Sequence, residues 1–417
     1  MSQIARLTTA EFGRQRDTLN LIASENYPSP AVIDLLGSIW NTKYAEGYPG
    51  KRYYAGNTNT DELEALVQAK ALAVFGATAD YGVNLQVLSG SVANALVYLT
   101  ALKGGDTVMS LELSSGGHLS HLHATSSWLK FFKHVTYRVR PTANGFELDD
   151  DDFRRKLQLH RPNLVIIGFS SYPRAYEFGP WVQAAHEAGA LVLADIAHIS
   201  GLVAAGRHDS PFRAGADFVA TTTHKTLRGP RGAMVFARHQ HMNQLNKTVF
   251  PGTLGGPHLN QIAATGQALA EVQGEAAYPG PSQPFADYID HVLATTGALE
   301  AGLAATGLEI VAPTQTHLLL VRLPLESDSL EVQRHLESVG IITNRNALPY
   351  DTKPPWRPSG LRLGTAALAS RGLTIAQARQ LGEVIGSVIL GRVSDAAATR
   401  AVANIVANLS WHYRSPA

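Results

Sequence analysis

Short apolar runs recur along the chain up to about residue 240, each followed by a longer segment with helical spacing. Residues 81–87, 107–113, 135–139, 164–167, 190–194, 218–220 and 232–237 are such runs. Continuous apolar runs of strand length are expected where a strand is covered on both faces. The segments between them read as helices. One is capped by Thr60, carries Leu63, Leu66, Val67, Val74 and Phe75 on one stripe and stops at Gly76. Others are predicted over 92–102, from the acidic start 148–152 to about His160, and over 181–187. Strands alternating with helices predict an α/β domain with a mainly parallel sheet.

The rhythm differs at both ends. Residues 1–60 hold one short helix, expected over 9–21, and otherwise read as an arm or interface segment. Residues 61–275 form the large α/β domain on this reading, and 276–417 a linking helix and a smaller α+β domain. A helical stretch over 259–305 leads out of the first sheet. Strands are predicted near 308–311, over 316–323 and over 341–344, a helix over 330–339, and helices from Thr374 to about Ser410.

Composition narrows the function classes. Of the 417 residues 45% are hydrophobic, and the net charge is +1. That balance gives no electrostatic reason to bind nucleic acid or an acidic membrane surface. There is no cysteine, which excludes disulfides and thiolate chemistry. Residues 1–16 carry charges and no apolar core of a signal peptide, and no run of about 18 apolar residues is present. A soluble cytoplasmic protein is expected.

Candidate chemistry centres on Thr221-Thr222-Thr223-His224-Lys225-Thr226-Leu227-Arg228-Gly229-Pro230-Arg231-Gly232. Lys225 follows a buried-strand pattern and sits among hydroxyls. Sheltered from water, its amine would have a lowered pKa and could condense with a carbonyl. A single lysine in a turn is more often a surface residue, so the other parts of the chain decide. Asp195 ends the run 190–194, and ligands of open α/β sheets lie at carboxyl ends of strands. An acid there suits a protonated heterocyclic nitrogen. Ser89-Gly90-Ser91 opens a helix, a place that suits a phosphate. Arg362, in Ser359-Gly360-Leu361-Arg362-Leu363-Gly364-Thr365, can clamp a carboxylate. His118, His121 and His123 invite a metal reading. Their spacing does not put all three on one helical face and no acid completes the set, so no metal is expected. One imidazole stacked on a flat ligand fits better. Tyr44, Glu46, Tyr53 and Tyr54 cluster in a loop-like stretch that reads as a recognition surface.

Three strings are long and specific: Leu21-Ile22-Ala23-Ser24-Glu25-Asn26, the run from Lys43 to Tyr54, and the Lys225 string. Through them the chain resembles the serine hydroxymethyltransferase family from about Leu21 to the C-terminus. The resemblance implies a fold-type I aminotransferase-like α/β architecture. That is a large domain with a mainly parallel seven-stranded sheet, plus a smaller C-terminal α+β domain. It implies pyridoxal 5'-phosphate as cofactor and tetrahydrofolate as co-substrate. Lys225 would hold the cofactor, Asp195 its ring nitrogen and His118 its ring face. Ser170 and His198 would meet the phenolic oxygen or the substrate. Ser89, Gly90, Ser91 and His224 belong to the cofactor set, with Gly256 supplied by a second subunit of a homodimer or dimer of dimers. Arg362 and Ser24 would hold the amino acid carboxylate. Tyr44, Glu46, Tyr53 and Tyr54 would reach in from the partner, Glu46 as acid and base. Leu113, Gly117, Leu119 and Asn346 match positions around tetrahydrofolate.

The chain departs from the family pattern at Val87-Leu88, at Leu254, after Tyr54 and at Ser114-Ser115. These places flank the phosphate loop, the subunit interface and the folate mouth. They leave open a rival reading, a threonine-type transaldolase or an α-substituted-serine hydroxymethyltransferase that passes its carbanion to another aldehyde.

Overall fold

The structure, a computed structural model, describes residues 2–77, 79–279, 284–354 and 356–414. Seven strands form the central sheet: β1 (Tyr81–Asn84), β2 (Thr107–Leu111), β3 (Lys133–Tyr137), β4 (Leu164–Ile167), β5 (Leu191–Asp195), β6 (Phe218–Thr222) and β7 (Ala233–Arg238). Their spatial order is β1-β7-β6-β5-β4-β2-β3. Neighbours pair in parallel except at β7, which runs antiparallel to both β6 and β1.

Alternate side chains of these strands enter two separate apolar cores. Val165, Ile167, Val192, Ala194, Val219, Met234 and Phe236 lie in one. Leu164, Ile166, Leu193, Phe218, Ala220, Val235 and Ala237 lie in the other. A pleated strand points successive residues to opposite faces, so a sheet covered on both faces needs unbroken apolar runs. Because β4, β5 and β6 are parallel and in register, their carboxyl ends form one edge, where Asp195 pairs with Ala220.

A second, three-stranded antiparallel sheet has the order β8-β10-β9: β8 (Leu318–Arg322), β9 (Asn344–Asn346) and β10 (Gly360–Gly364). Leu319, Val321, Leu361 and Leu363 pack there with Leu299, Leu303, Leu381 and Ile385 from helices Phe285–Ala305 and Ile375–Ile389. Those two helices touch closely. A Cβ on Gly302 would lie 2.0 Å from the Arg379 carbonyl oxygen.

Five expectations shift. The helix expected to be capped by Thr60 starts at Thr58, with Asn57 at its N-cap. The first helix spans Gln3–Asp17 and not 9–21, because Leu19 and Asn20 pair in parallel with Ile341 and Ile342, and Leu19 and Leu21 join the second core. The stretch 259–305 is two helices, Leu259–Val272 and Phe285–Ala305. Gly274 turns the chain at φ +76° and Pro284 caps the second helix. The strand expected at 308–311 is a single bridge from Ile310 to Val321, because Pro313 has no N–H to extend the pairing. The strand expected over 341–344 divides between the pairing with the N-terminal segment and β9.

Candidate active site

The lysine turn is fastened by its own hydroxyls. Thr226 Oγ1 donates to the His198 carbonyl at 3.0 Å and accepts from Gly201 N at 3.0 Å. Thr222 Oγ1 donates to the Ala197 carbonyl at 3.2 Å. Thr223 Oγ1 closes the loop on Pro230 O at 2.6 Å. These bonds lash the Lys225 turn to the segment that follows β5, which carries Asp195. Asn26 Nδ2 and Arg228 N both donate to the Lys225 carbonyl, at 2.8 and 3.0 Å. Arg228 takes a left-handed φ of +62°. Its guanidinium lies 3.5 and 4.2 Å from the ring centroids of Tyr278 and Tyr288, which pins the far side of the loop.

The result is a cavity of about 360 Å³ at the carboxyl edge of the sheet. Lys225, Asp195, His118, Ser170, His198, His224, Arg362, Ser24, Ser89, Gly90 and Ser91 all line it. Asn94, Ala197, Thr222, Phe169 and Arg231 line it too, none of them singled out as a ligand from the sequence, and so does His121, which the sequence had raised only for a metal.

Lys225 is 7% exposed. Burial lowers its amine from the usual 10.5 to about 8, helped by the nearby Arg362 and Arg231, while Asp195 pulls the other way. At pH 7.5 roughly a quarter of such an amine is neutral, against about one in a thousand for a solvated lysine. Asp195 faces opposed influences. Burial alone would raise its carboxyl, but His121 Nε2 at 2.9 Å and Asn94 Nδ2 at 2.9 Å both bond Oδ2, and the acid is held well below the usual carboxylate range. Ala197 N donates to Oδ1 at 3.1 Å. The carboxylate is therefore ionised and immobile.

His118 accepts the Ser120 N–H at Nδ1 (3.1 Å), and burial lowers its pKa to about 4. It is thus a neutral ring with its proton on Nε2. His198 is also held neutral by burial. Its Nε2 lies 3.4 Å from Ser170 Oγ and its Nδ1 3.2 Å from His317 Nε2, with the two imidazoles stacked. Ser170 itself is braced by the Gly116 turn, since Ser170 N donates to Gly116 O at 2.8 Å.

Arg362 enters from the second sheet. Its Nε donates to Asn344 Oδ1 at 3.1 Å and its Nη1 to Ser170 O at 2.8 Å, while Nη2 has no bond among the described residues. Burial brings its pKa down to about 10, so it stays a cation at neutral pH. Ser24 reaches the same wall because Gly364 N donates to Leu21 O at 2.8 Å, which lays the N-terminal segment against β10.

At the opposite end, helix Gly90–Ala101 points its first amides at the cavity. The side chain of its N-cap residue, Ser89, makes no capping bond. A Cβ on Gly90 would come within 2.8 Å of Thr222 Cγ2, so the bare backbone is needed there. Free amides and a positive dipole end suit a phosphate group.

The described residues lining the cavity do not include Tyr44, Glu46, Tyr53, Tyr54 or Gly256. Tyr44 and Glu46 instead pack on the Gly255-Gly256 turn of their own chain, with Tyr44 stacked edge-on to Tyr54. Tyr53 is 82% exposed. Leu113, Gly117, Leu119 and Asn346 also lie outside the cavity wall: Gly116 N donates to Leu113 O, Gly117 N donates to Glu112 O, Leu119 is exposed, and Asn346 ends β9. Among the described residues no group of three or more His, Asp or Glu side chains is arranged to hold a metal ion, and no helix is long and apolar enough to cross a membrane. Two departures from the family pattern have a packing account, because Val87 belongs to and Leu254 packs against the apolar core that also holds Ala93 and Leu96 of helix Gly90–Ala101.

A buried, partly neutral lysine, a fixed carboxylate and a helix N-terminus meet around one cavity at the carboxyl edge of this sheet, an arrangement that fits an α/β enzyme of fold-type I. Comparison with known proteins narrows the class. The sequence model of the family described as serine hydroxymethyltransferase matches residues 1–385. The chain is 41% identical over 416 residues to the serine hydroxymethyltransferase of Sorangium cellulosum (strain So ce56), covering 99% of this chain and 95% of that protein. It is 43% identical over 401 residues to that of Synechococcus sp. (strain JA-3-3Ab), covering 93% and 89%. The chain belongs to the serine hydroxymethyltransferase family. As a member it is an enzyme of serine hydroxymethyl transfer, and the rival reading, a threonine-type transaldolase or an α-substituted-serine hydroxymethyltransferase, is not favoured.

Proposed function

We propose that the cavity around Lys225 binds pyridoxal 5'-phosphate and carries the reversible transfer of the serine hydroxymethyl group to tetrahydrofolate, leaving glycine. The observation that carries this reading is the convergence of Lys225, Asp195 and Arg362, from two sheets, on one cavity. The residues present fit the cofactor. A partly neutral amine suits covalent attachment, an ionised acid suits a protonated ring nitrogen, and the amides at Ser89, Gly90 and Ser91 suit the phosphate. His118 would cover the ring face, Ser170 and His198 would meet the phenolic oxygen or the substrate, and His224 would border the phosphate side.

Bound pyridoxal phosphate supplies an electron sink that stabilises negative charge at the substrate Cα. The chain's own residues do the rest. Arg362 and Ser24 would fix the carboxylate, Nη2 being the donor still free, and hence the orientation of the bonds at Cα. Glu46 would take the proton of the serine hydroxyl as the Cα–Cβ bond breaks. The bonding pair stays on Cα, which takes up a proton to give glycine, and formaldehyde would condense with tetrahydrofolate with loss of water. Glu46, Tyr44, Tyr53, Tyr54 and Gly256 would act across the interface of a homodimer. The exposure of Tyr44, Tyr53 and Tyr54 in the single chain, together with the absence of all five from the cavity wall, supports that arrangement. Leu113, Gly117, Leu119 and Asn346 would border tetrahydrofolate.

The test is solvent exchange of the glycine α-proton, followed by NMR in D2O with and without tetrahydrofolate, alongside conversion of serine to glycine. Folate-dependent glycine formation is expected. Acetaldehyde release from threonine, with tetrahydrofolate making no difference to either reaction, would overturn the folate reading.

A further inference from the structure

Glu64 has a fully buried side chain, and nothing in the chemistry above uses it. Its carboxylate meets Arg52 Nη2 at 2.6 Å and Gln86 Nε2 at 2.9 Å. Arg52, whose side chain is 4% exposed, divides its remaining donors between the loop that carries Glu46 and Asp61 of helix Thr58–Val74. Nη1 donates to Ala45 O at 3.0 Å and to Gly47 O at 2.8 Å, and Nε donates to Asp61 Oδ1 at 2.8 Å. Gln86 adds a second bond to Gly47 O at 2.9 Å. Tyr53 N donates to the carbonyl of Glu46 itself at 2.9 Å. The carbonyls of residues 45, 46 and 47 are thus all held. Gly47 sits at φ +98° with no room for a Cβ, which would lie 2.3 Å from Lys51 O.

This is an expensive arrangement for an exposed hairpin. A buried ion pair tends to break even at best in stability, while its geometry is strongly specified. A guanidinium is the one side chain whose planar fork can bond a carboxylate and two adjacent carbonyls at once. The loop it holds is otherwise two short strands, Gly47–Tyr48 and Lys51–Arg52, with exposed tyrosines around it.

We propose that Arg52, fixed by Glu64 and Gln86, is the positioning residue for Glu46. The clamp sets where that carboxylate is presented for proton transfer, and Arg52 itself touches no substrate. The proposal rests on the reading of Glu46 as acid and base.

The test is a double-mutant cycle in the holoenzyme with Arg52→Lys and Glu46→Gln. Lysine keeps the charge beside Glu64 but cannot reach both carbonyls. Arg52→Lys is expected to lower kcat by roughly 10- to 100-fold, the scale of a misplacement of about 1 Å, with KM for serine little changed. The double variant should be no slower than Glu46→Gln alone. Hydrogen exchange in the protein free of cofactor should speed up at the Tyr53 amide. If Glu46→Gln leaves kcat unchanged, the reading of Glu46 falls and this proposal with it. If Glu46→Gln impairs turnover and Arg52→Lys multiplies onto it, Glu46 stands and the positioning role of Arg52 is overturned. Should Arg52→Lys fail to fold, Gln86→Met, which removes one bond to Gly47 O and one to Glu64, takes its place in the same cycle.

Discussion

Arg362 Nη1 lies 2.8 Å from the carbonyl oxygen of Ser170, and the bond joins the second sheet to the loop at the carboxyl edge of the first. Arg362 is the middle residue of β10, while Ser170 follows β4. The bond fixes one edge of the guanidinium and leaves Nη2 without a partner among the described residues. Arg362→Lys removes both the brace and the planar fork. A charge-assisted bond contributes about 1.5–3 kcal/mol, so KM for serine should rise at least 10-fold. Cofactor absorbance of the purified protein should persist. Steady-state kinetics check this, and an unchanged KM would remove Arg362 from the carboxylate site.

Gly168, the residue after β4, has no space for a side chain. A Cβ there would lie 2.0 Å from the Asp195 carbonyl oxygen and 2.7 Å from its carbon. Backbone cannot yield as a flexible side chain can, so Gly168→Ala should push the end of β5, and Asp195 with it, out of place. Overpacking of this kind costs about 1–3 kcal/mol. Urea denaturation should show that loss, with weaker cofactor retention. Gly104→Ala, where nothing lies within 4 Å, is the matched control and should change stability by less than about 0.5 kcal/mol.

What the sequence carried, and what it did not, divides along physical lines. Lys225 and Asp195 were legible because Asp195 ends an apolar run and Lys225 lies just past the end of another, and parallel strands in register bring such ends together. Ser89-Gly90-Ser91 was legible because a helix start has spare amides whatever the fold. His121 and Asn94 were not. Both matter only through Asp195, which is 74 residues from one and 101 from the other, and no local pattern marks a bond of that span. His121 had a faint signal, three residues after His118, but spacing alone could not tell which ring faces the acid. His317 behind His198 is the same case across two sheets. The first helix was placed too late for a related reason: Leu19 and Leu21 are apolar because they join the second core, and no helical face explains them.

Asp195 stays ionised because His121 and Asn94 outweigh its burial. His121→Leu removes the larger of those two supports and leaves burial to act. The carboxyl pKa should then rise. The ionised form is the working one, so the acid limb of the pH–kcat profile should move to higher pH. A limb at the same pH as in the unaltered protein would show that His121 does not hold the carboxylate in its charged form.

Lys225 supplies a stability prediction that does not depend on turnover. In the folded protein without cofactor its amine titrates near 8, in the unfolded chain near 10.5. Below pH 8 the amine is charged in both states, and the folded state bears the full penalty of burying that charge. Between pH 8 and 10.5 the unfolded chain binds more protons, so stability rises with pH. Above 10.5 the penalty is gone. Lys225→Met has no such group. At pH 7 it should be more stable than the parent by up to about 3 kcal/mol, the value of a shift of this size. The advantage should shrink steadily from pH 8 to 10.5, while turnover is abolished throughout. Urea unfolding of both cofactor-free proteins at pH 7, 8, 9 and 10 reads the difference directly. A gap that stays constant across that range would mean the amine is solvated, and a solvated amine would not fit the buried lysine on which the cofactor site depends.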